Sequence, residues 1–250
     1  NVKMMNAEAR FVRAYQYSVL MDLYGNPGFV NEETPIGAAV RPEQIQRAAL
    51  FNYIETELKA LETELPSPKA NEYGRADQAA VWSLLARNYL NAQVFTGTAK
   101  WSEAITYSKK VIDAGYTLIS DYRNLMLADN NLNNTEFIWT LNYDGLKTQN
   151  YGGTTFIVNA SVGGSMDPTV SGLTNWGGTR TTKNLPNLFP DYTGTADKRA
   201  QFYQQNLEIE KMSEFKDGYA VTKYRNRTKS GGYGSDPEKT FSDIDFPVFR

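Results

Sequence analysis

The chain is 250 residues long, 41% hydrophobic and 22% charged, with a formal net charge of -2, the composition of a globular protein able to bury a core as one or two domains. The lack of a basic excess argues against nucleic acid as a partner, and no run approaches the roughly 20 apolar residues of a membrane span. Neither His nor Cys occurs, which excludes Cys-His and Ser-His-Asp catalysis and His/Cys zinc sites within this chain; any catalysis falls to Asp, Glu, Tyr, Lys or Arg, and any metal is a hard cation held by oxygens.

No signal peptide is readable at Asn1, and the chain opens inside a helical pattern, so the natural N-terminus is expected upstream. Ala7 to Leu23 reads as a helix with Phe11, Ala14, Tyr15, Ser18 and Met21 on one face, stopped by Gly25 and Pro27. A loop over 26–40 follows. Pro42 suits the first position of the next helix, with Glu43 in its first turn and Ile54, Leu58, Leu61 and Leu65 as its apolar face. Pro66 and Pro68 end it.

Arg75 to Tyr116 reads as a helical hairpin. Trp82, Leu85, Ala86 and Tyr89 have the spacing W-x2-L-[small]-x2-Y, the first-helix signature of a tetratricopeptide repeat, with Ala86 kept small where a second helix crosses. In that second helix Trp101, Ala104, Ile105, Ser108, Val111 and Ile112 form one apolar face and Gly115 the stop. The 95–100 connection is longer than a regular repeat allows. Any antiparallel helix pair would also satisfy the pattern.

Beyond Gly115 the character changes. A short helix is expected near Tyr122, an Asn-rich turn over 129–135, and a half-buried strand over 136–143 with Phe137, Trp139, Leu141 and Tyr143 on one side. The stretch 144–181 is rich in Gly, Ser, Thr and Asn with aromatics set into it, long for a structureless loop and of the kind that carries function. Short helices are expected over 182–189 and 197–205, a strand over 218–224, and a turn over 231–235. The closing run Phe246-Pro247-Val248-Phe249-Arg250 is apolar with no partner in view, so the C-terminus is also expected to lie beyond the chain.

In this order the motifs resemble the SusD/RagB family of surface glycan-binding lipoproteins. The run from Asn6 through Glu8-Ala9-Arg10-Phe11 to Tyr17 is similar to the family's "EARFLRA" helix, and the run from Leu23 to Val30 to its "LFGDVPLV" step. The helix from Arg75 to Leu90 matches "AA-x-ALLARVYL", and Trp101 to Tyr116 the "W-x-x-A…VI-x-x-G-Y" helix after it. Glu136-Phe137-Ile138-Trp139, Asp197-Lys198-Arg199 and the run from Asp245 to Arg250 match "E-x-IW", "D-x-R" and "D-x-PV-x-R". The resemblance implies a mainly α fold: tetratricopeptide-like helical pairs over 1–116 as scaffold, and an irregular, loop-rich segment with a few short strands over 117–250 as the glycan-binding part, in one integrated domain. It also implies a larger parent protein; the family's lipidated N-terminal Cys and C-terminal helical segment are absent here. The partners implied are a glycan and a SusC-like, TonB-dependent outer-membrane transporter that the protein overlies at the cell surface, with membrane attachment through the lipid anchor alone.

Sugar recognition suits the residues at hand. An aromatic ring stacks on the apolar face of a pyranose, and amides, carboxylates and guanidinium groups serve its hydroxyls. Tyr151 and Trp176, flanked by Gly and Asn, are the expected stacking platforms, with Asn150, Asn175 and Arg180 as polar contacts. Each has a bland alternative: Trp176 as a core aromatic pinning its loop, Tyr151 as a structural residue, Arg180 as a loop tether. Trp82, Trp101 and Trp139 lie on periodic apolar faces and read as core. Asp144, in Tyr143-Asp144-Gly145, is a turn residue or a calcium ligand together with the Leu146 carbonyl; no cofactor beyond calcium is suggested. Two other functions compete. A glycosidase would need opposed carboxylates, for which the pairs Glu62/Glu64, Glu208/Glu210 and Asp243/Asp245 are the material. A protein-interaction scaffold would need only the helices.

Overall fold

Helices carry the first part of the chain. The structure is a computed structural model describing residues 2–35, 37, 41–132, 134–163, 167, 169–203 and 208–250. Two units divide it, residues 1–116 with Phe249 and residues 117–248 with Arg250. In the first, α1 (Val2–Tyr24) starts ahead of Ala7 and buries Ala7, Phe11, Ala14, Tyr17, Ser18 and Met21; Tyr17 takes the core place expected of Tyr15, which is half-buried. Helix α2 (Arg47–Glu64) buries Leu50, Phe51, Ile54, Leu58 and Leu61. Pro42 does not open it. Residues 27–29 and 43–45 pair as extended chain, with Gly28 opposite Gln44, and Asn26 Oδ1 accepts the Arg47 N–H at 2.8 Å. A helix begun at Pro42 would break that pairing.

Helix α3 (Gln78–Leu90) is capped by Asp77, whose carboxylate accepts the Ala80 N–H at 3.1 Å. A short α4 (Ala92–Thr96) fills part of the connection, closed by Gly97 at φ 81°, and α5 (Trp101–Asp113) leads to Gly115 at φ 75°. Helix α1 packs on α2, α2 on α3, and α3 on α5. Polar clamps lock this stack. Glu62 accepts from Trp82 Nε1 at 3.0 Å, Tyr107 OH at 2.6 Å and Lys110 Nζ at 2.6 Å. Glu55 accepts from Tyr89 OH at 2.7 Å and Lys100 Nζ at 3.1 Å. The aromatics of the W-x2-L-[small]-x2-Y signature thus hand their polar ends to two carboxylates of α2. Trp82 meets Glu62 and Tyr89 meets Glu55, a reversed order that makes α2 and α3 antiparallel. Burial pushes both carboxyls up, but the hydrogen bonds outweigh it and hold them below the ordinary glutamate value.

The apolar stripe of α5 departs from expectation. Only Ala104 is buried, while Trp101, Ile105 and Ile112 are 57%, 70% and 73% exposed, so Trp101 is not a core residue here. Ala104, Tyr107 and Val111 face the stack instead. With Leu90, the stripe walls an open groove of about 460 Å³. Ala86, the small residue of the signature, is half-buried, Trp82 likewise, and Trp139 is buried.

In the second unit, β1 (Trp139–Leu141) pairs with β4 (Phe246–Phe249), and β2 (Phe202–Tyr203) with β3 (Ala220–Val221). The second pair is antiparallel, Phe202 opposite Val221 and Tyr203 opposite Ala220. The closing apolar run therefore has a partner after all. The strand expected over 136–143 shrinks to β1 and loses its alternation: Phe137, Trp139 and Thr140 are buried and Leu141 is turned outward. Both sides are covered here, since Glu136 is itself buried, accepting the Ile119 N–H and pairing with Arg250. A helix, α6 (Gly153–Ser161), crosses the stretch expected to be structureless. Its inward face is Thr154, Thr155, Val158 and Asn159, too polar to register as apolar periodicity. Single 3-10 turns stand at Tyr122–Asn124, as expected, and at Pro186–Leu188, in place of a helix over 182–189. The helix expected over 197–205 is not formed. Asp197 binds the Arg199 N–H and guanidinium in a turn, residues 202–203 are strand, and Gln204 and Gln205 lie outside the described residues. Among the described residues no helix is long and apolar enough to cross a membrane.

Candidate functional site

One buried amide organises the loop that carries Trp176. Asn159, on α6, is fully buried. Its Nδ2 donates to the Thr155 and Thr240 carbonyls at 3.0 and 3.2 Å, and its Oδ1 accepts from Thr174 Oγ1 at 3.1 Å and the Asn175 N–H at 3.0 Å. Its carbonyl accepts the Trp176 N–H at 2.8 Å. The loop continues along the end of the helix, Gly177 donating to Val162 and Thr179 to Ala160. Backbones touch here: a Cβ on Gly163 would stand 2.8 Å from Gly177, itself at φ 70°. Only glycines permit that approach.

The loop holds the Trp176 ring 43% exposed, beside Tyr151 at 68% and Phe156 at 51%. Ring centres of Tyr151 and Trp176 are 6.0 Å apart, those of Phe156 and Trp176 6.5 Å, and Phe241 backs Tyr151 at 5.4 Å. Three exposed rings meet at one place, Trp176 on the loop fixed by Asn159, Phe156 on α6 and Tyr151 on an exposed turn, and form an apolar platform. Trp176 is neither buried nor isolated; it is a half-open ring supported at its edges. Sequence reading missed Phe156, Phe241 and Asn159. Phe156 is one of the aromatics set in the 144–181 stretch, and no local pattern marks Phe241 or Asn159.

The polar candidates divide. Asn150 is spent on its own turn, its Oδ1 accepting the Gly152 N–H at 2.9 Å and its Nδ2 donating to the Thr148 carbonyl at 3.0 Å; this turn presents Tyr151. Asn175 takes a left-handed backbone, φ 62°, and its Oδ1 accepts from Ser171 Oγ; it shapes the loop directly before Trp176. Arg180 is engaged by the chain itself. Its guanidinium donates to the Met212 carbonyl at 2.7 Å and lies over the Phe215 ring at 6.0 Å, the contacts of a tether. Asp144 Oδ1 accepts the Leu146 and Lys147 N–H groups at 2.9 and 3.0 Å, the geometry of an Asx turn. Among the described residues no three acidic side chains converge to hold a metal, and the donor set around Asp144 does not fit calcium, which takes six or more oxygens.

Five of the six acidic residues in these pairs are engaged in structure. Glu62 is a clamp and Glu64 pairs with Arg10. Glu208 pairs with Lys183. Asp243 accepts from the Gly145 and Ser235 N–H groups at 3.1 and 2.7 Å, and Asp245 from that of Tyr143 at 2.7 Å.

No family model matches the chain. The starch-binding protein SusD of Bacteroides thetaiotaomicron is 28% identical over 295 residues, covering 98% of this chain and 52% of that protein. A SusD superfamily protein from Parabacteroides distasonis superposes with a TM-score of 0.72 at 22% identity, over 100% of this chain and 53% of the other. Surface glycan-binding protein A from Bacteroides thetaiotaomicron, in complex with laminarihexaose, does so with a TM-score of 0.71 at 18% identity, over 99% and 55%. The chain spans about half the length of these relatives, and the structural likeness establishes a shared fold.

Proposed function

Proceeding from a chain that is SusD-like in sequence and fold, we propose that it serves as a non-catalytic glycan-binding protein, and that Trp176 and Tyr151, joined by Phe156, are its stacking surface. The observation that carries this reading is the exposed three-ring platform, with its Trp176 loop anchored by Asn159. A rigid aromatic surface stacks on sugar with little entropy to lose. The glycan bound by one relative and the starch-binding name of another support the ligand class, and the structural engagement of most residues in the acidic pairs supports a role without hydrolysis.

We extend the reading to the whole protein: glycan captured at the cell surface for import through a TonB-dependent outer-membrane transporter, with the helical unit as the partner face. The resemblance supports this, and so does the exposed stripe of α5. A tetratricopeptide-type scaffold shares that one observation, and differs in needing no sugar.

A glycan array followed by calorimetry tests the binding reading. Trp176→Ala is expected to weaken the best oligosaccharide about tenfold, or about 1.4 kcal/mol, with little change in melting temperature because a half-exposed ring leaves no core cavity. Unchanged affinity with a steep fall in melting temperature would return Trp176 to a structural role. Charge substitutions on α5 are expected to weaken transporter association and leave sugar affinity intact.

A further inference from the structure

A cationic cleft stands in the second unit, built by other residues than the aromatic platform. Its volume is about 450 Å³, and Arg123, Arg225, Arg227 and Lys229 line it with Asp121 and Thr169. Two hydrogen-bonded segments frame it. The Arg225 N–H donates to Met126 at 3.1 Å and the Ala128 N–H to Arg227 at 2.9 Å, while Thr228 closes back on Gly232 at 3.0 Å.

The charges in this frame are unequally matched. Asp121 is taken by the Arg123 guanidinium at 2.8 Å, with Lys198 at 3.5 Å. Asp129, nearby, accepts the Lys229 N–H, and Asp167 accepts the Thr169 N–H and hydroxyl. Among the described residues no carboxylate lies within ion-pair distance of Arg225, Arg227 or Lys229; Asp121 acts on Arg225 and Asp167 on Arg227 only through longer-range charge. The Arg227 guanidinium is held in place nonetheless, stacked over Tyr233 at 4.1 Å and donating to the Gly231 carbonyl. Its Nη1 and the Nε of Arg225 are buried without a hydrogen-bond partner among the described residues. Burial, and next the charge of Arg123, pull Arg225 below the usual arginine range.

Fixed guanidinium forks match planar or tetrahedral oxyanions. We propose that this cleft binds the anionic oxygen group of an acidic glycan, the carboxylate of a uronic acid or a sulfate ester, with Arg225, Arg227 and Lys229 as its contacts. The proposal rests on the glycan-binding reading and names a substrate class for it. Four cations against one carboxylate at the lining give the cleft the sign needed, although the chain as a whole carries a net charge of -2.

The test uses calorimetry with four probes: an oligogalacturonate, a sulfated oligosaccharide, a neutral oligosaccharide of equal length, and inorganic sulfate. At least one acidic oligosaccharide should bind ten times more tightly than the neutral one, and the preference should shrink as salt rises. Arg227→Gln should remove most of it, and the exposed Lys229→Gln, which carries no folding risk, should cut it about threefold. The carboxylate and sulfate arms tell which anion is preferred. Neutral and acidic sugars bound equally, with Trp176→Ala weakening both, would overturn the cleft and leave the glycan reading standing. Acidic binding that survives both cleft substitutions would likewise overturn it. Binding of inorganic sulfate with no sugar bound at all would overturn both.

Discussion

The two units hold their chains in different ways. In the helical unit the fully buried side chains are hydrocarbon or aromatic, Phe11, Leu50, Phe51, Ile54, Leu58 and Tyr89 among them, and polar groups act at the margin, as in the Glu62 and Glu55 clamps. In the irregular unit the buried residues that decide the path are polar. Asn130 joins the Leu125 carbonyl to both backbone groups of Asp245. Asn226 accepts the Asp243 N–H, Asp236 accepts those of Thr240 and Phe241, and Asn159 fixes the Trp176 loop. Short strands and turns cannot satisfy their own amides, so side chains from distant parts of the sequence do it. Such a scaffold can leave aromatic rings facing water, because its order does not depend on burying them.

The sharpest way to break this contrast is in the helical core. Phe51→Ala is expected to cost about 3–5 kcal/mol, read by urea denaturation; a loss under about 1 kcal/mol would show that packing is not what holds that unit. Asn159→Ala should cost about 2–3 kcal/mol by orphaning the groups it serves, and it should carry glycan affinity down with it. Destabilisation with affinity unchanged would mean the platform does not depend on the loop geometry.

Acid distinguishes the clamps. Glu55 and Glu62 are held below the ordinary glutamate value of 4.5, so their contribution is complete above that value and is lost as pH falls through and below it. Thermal unfolding between neutral pH and about pH 3 should show this loss, and Glu62→Gln should reduce it. A slope untouched by that substitution would remove Glu62 from the clamp. The smallest effect is expected on the α5 stripe: Ile105→Glu, at a 70% exposed site, should change stability by no more than about 0.5 kcal/mol, measured by the same denaturation.

Periodicity made the helices legible. Phe11, Ala14 and Ser18 in α1 and Ile54, Leu58 and Leu61 in α2 repeat at helical spacing, and Gly25 and Gly115 punctuate the ends at positive φ. The aromatic platform was half legible: Tyr151 and Trp176 stood out as large rings in a Gly- and Asn-rich setting, whereas Phe241 reaches them from the far end of the chain. Arg180 has the chemistry of a sugar contact, and its guanidinium donates to the Met212 carbonyl, since nothing local says which carbonyls a guanidinium will find.

By itself the sequence determined the helical hairpins, the lack of any His- or Cys-based chemistry, and the place along the chain where regular structure gives way to loops. These follow from local backbone preference and side-chain type. The tertiary structure alone decided that the apolar stripe of α5 faces outward, that α6 exists beneath a polar face, and that three rings meet above Asn159. A period identifies which residues share a face but not what lies opposite it, and a buried amide is recognised as an anchor only when the chain has folded its partners around it.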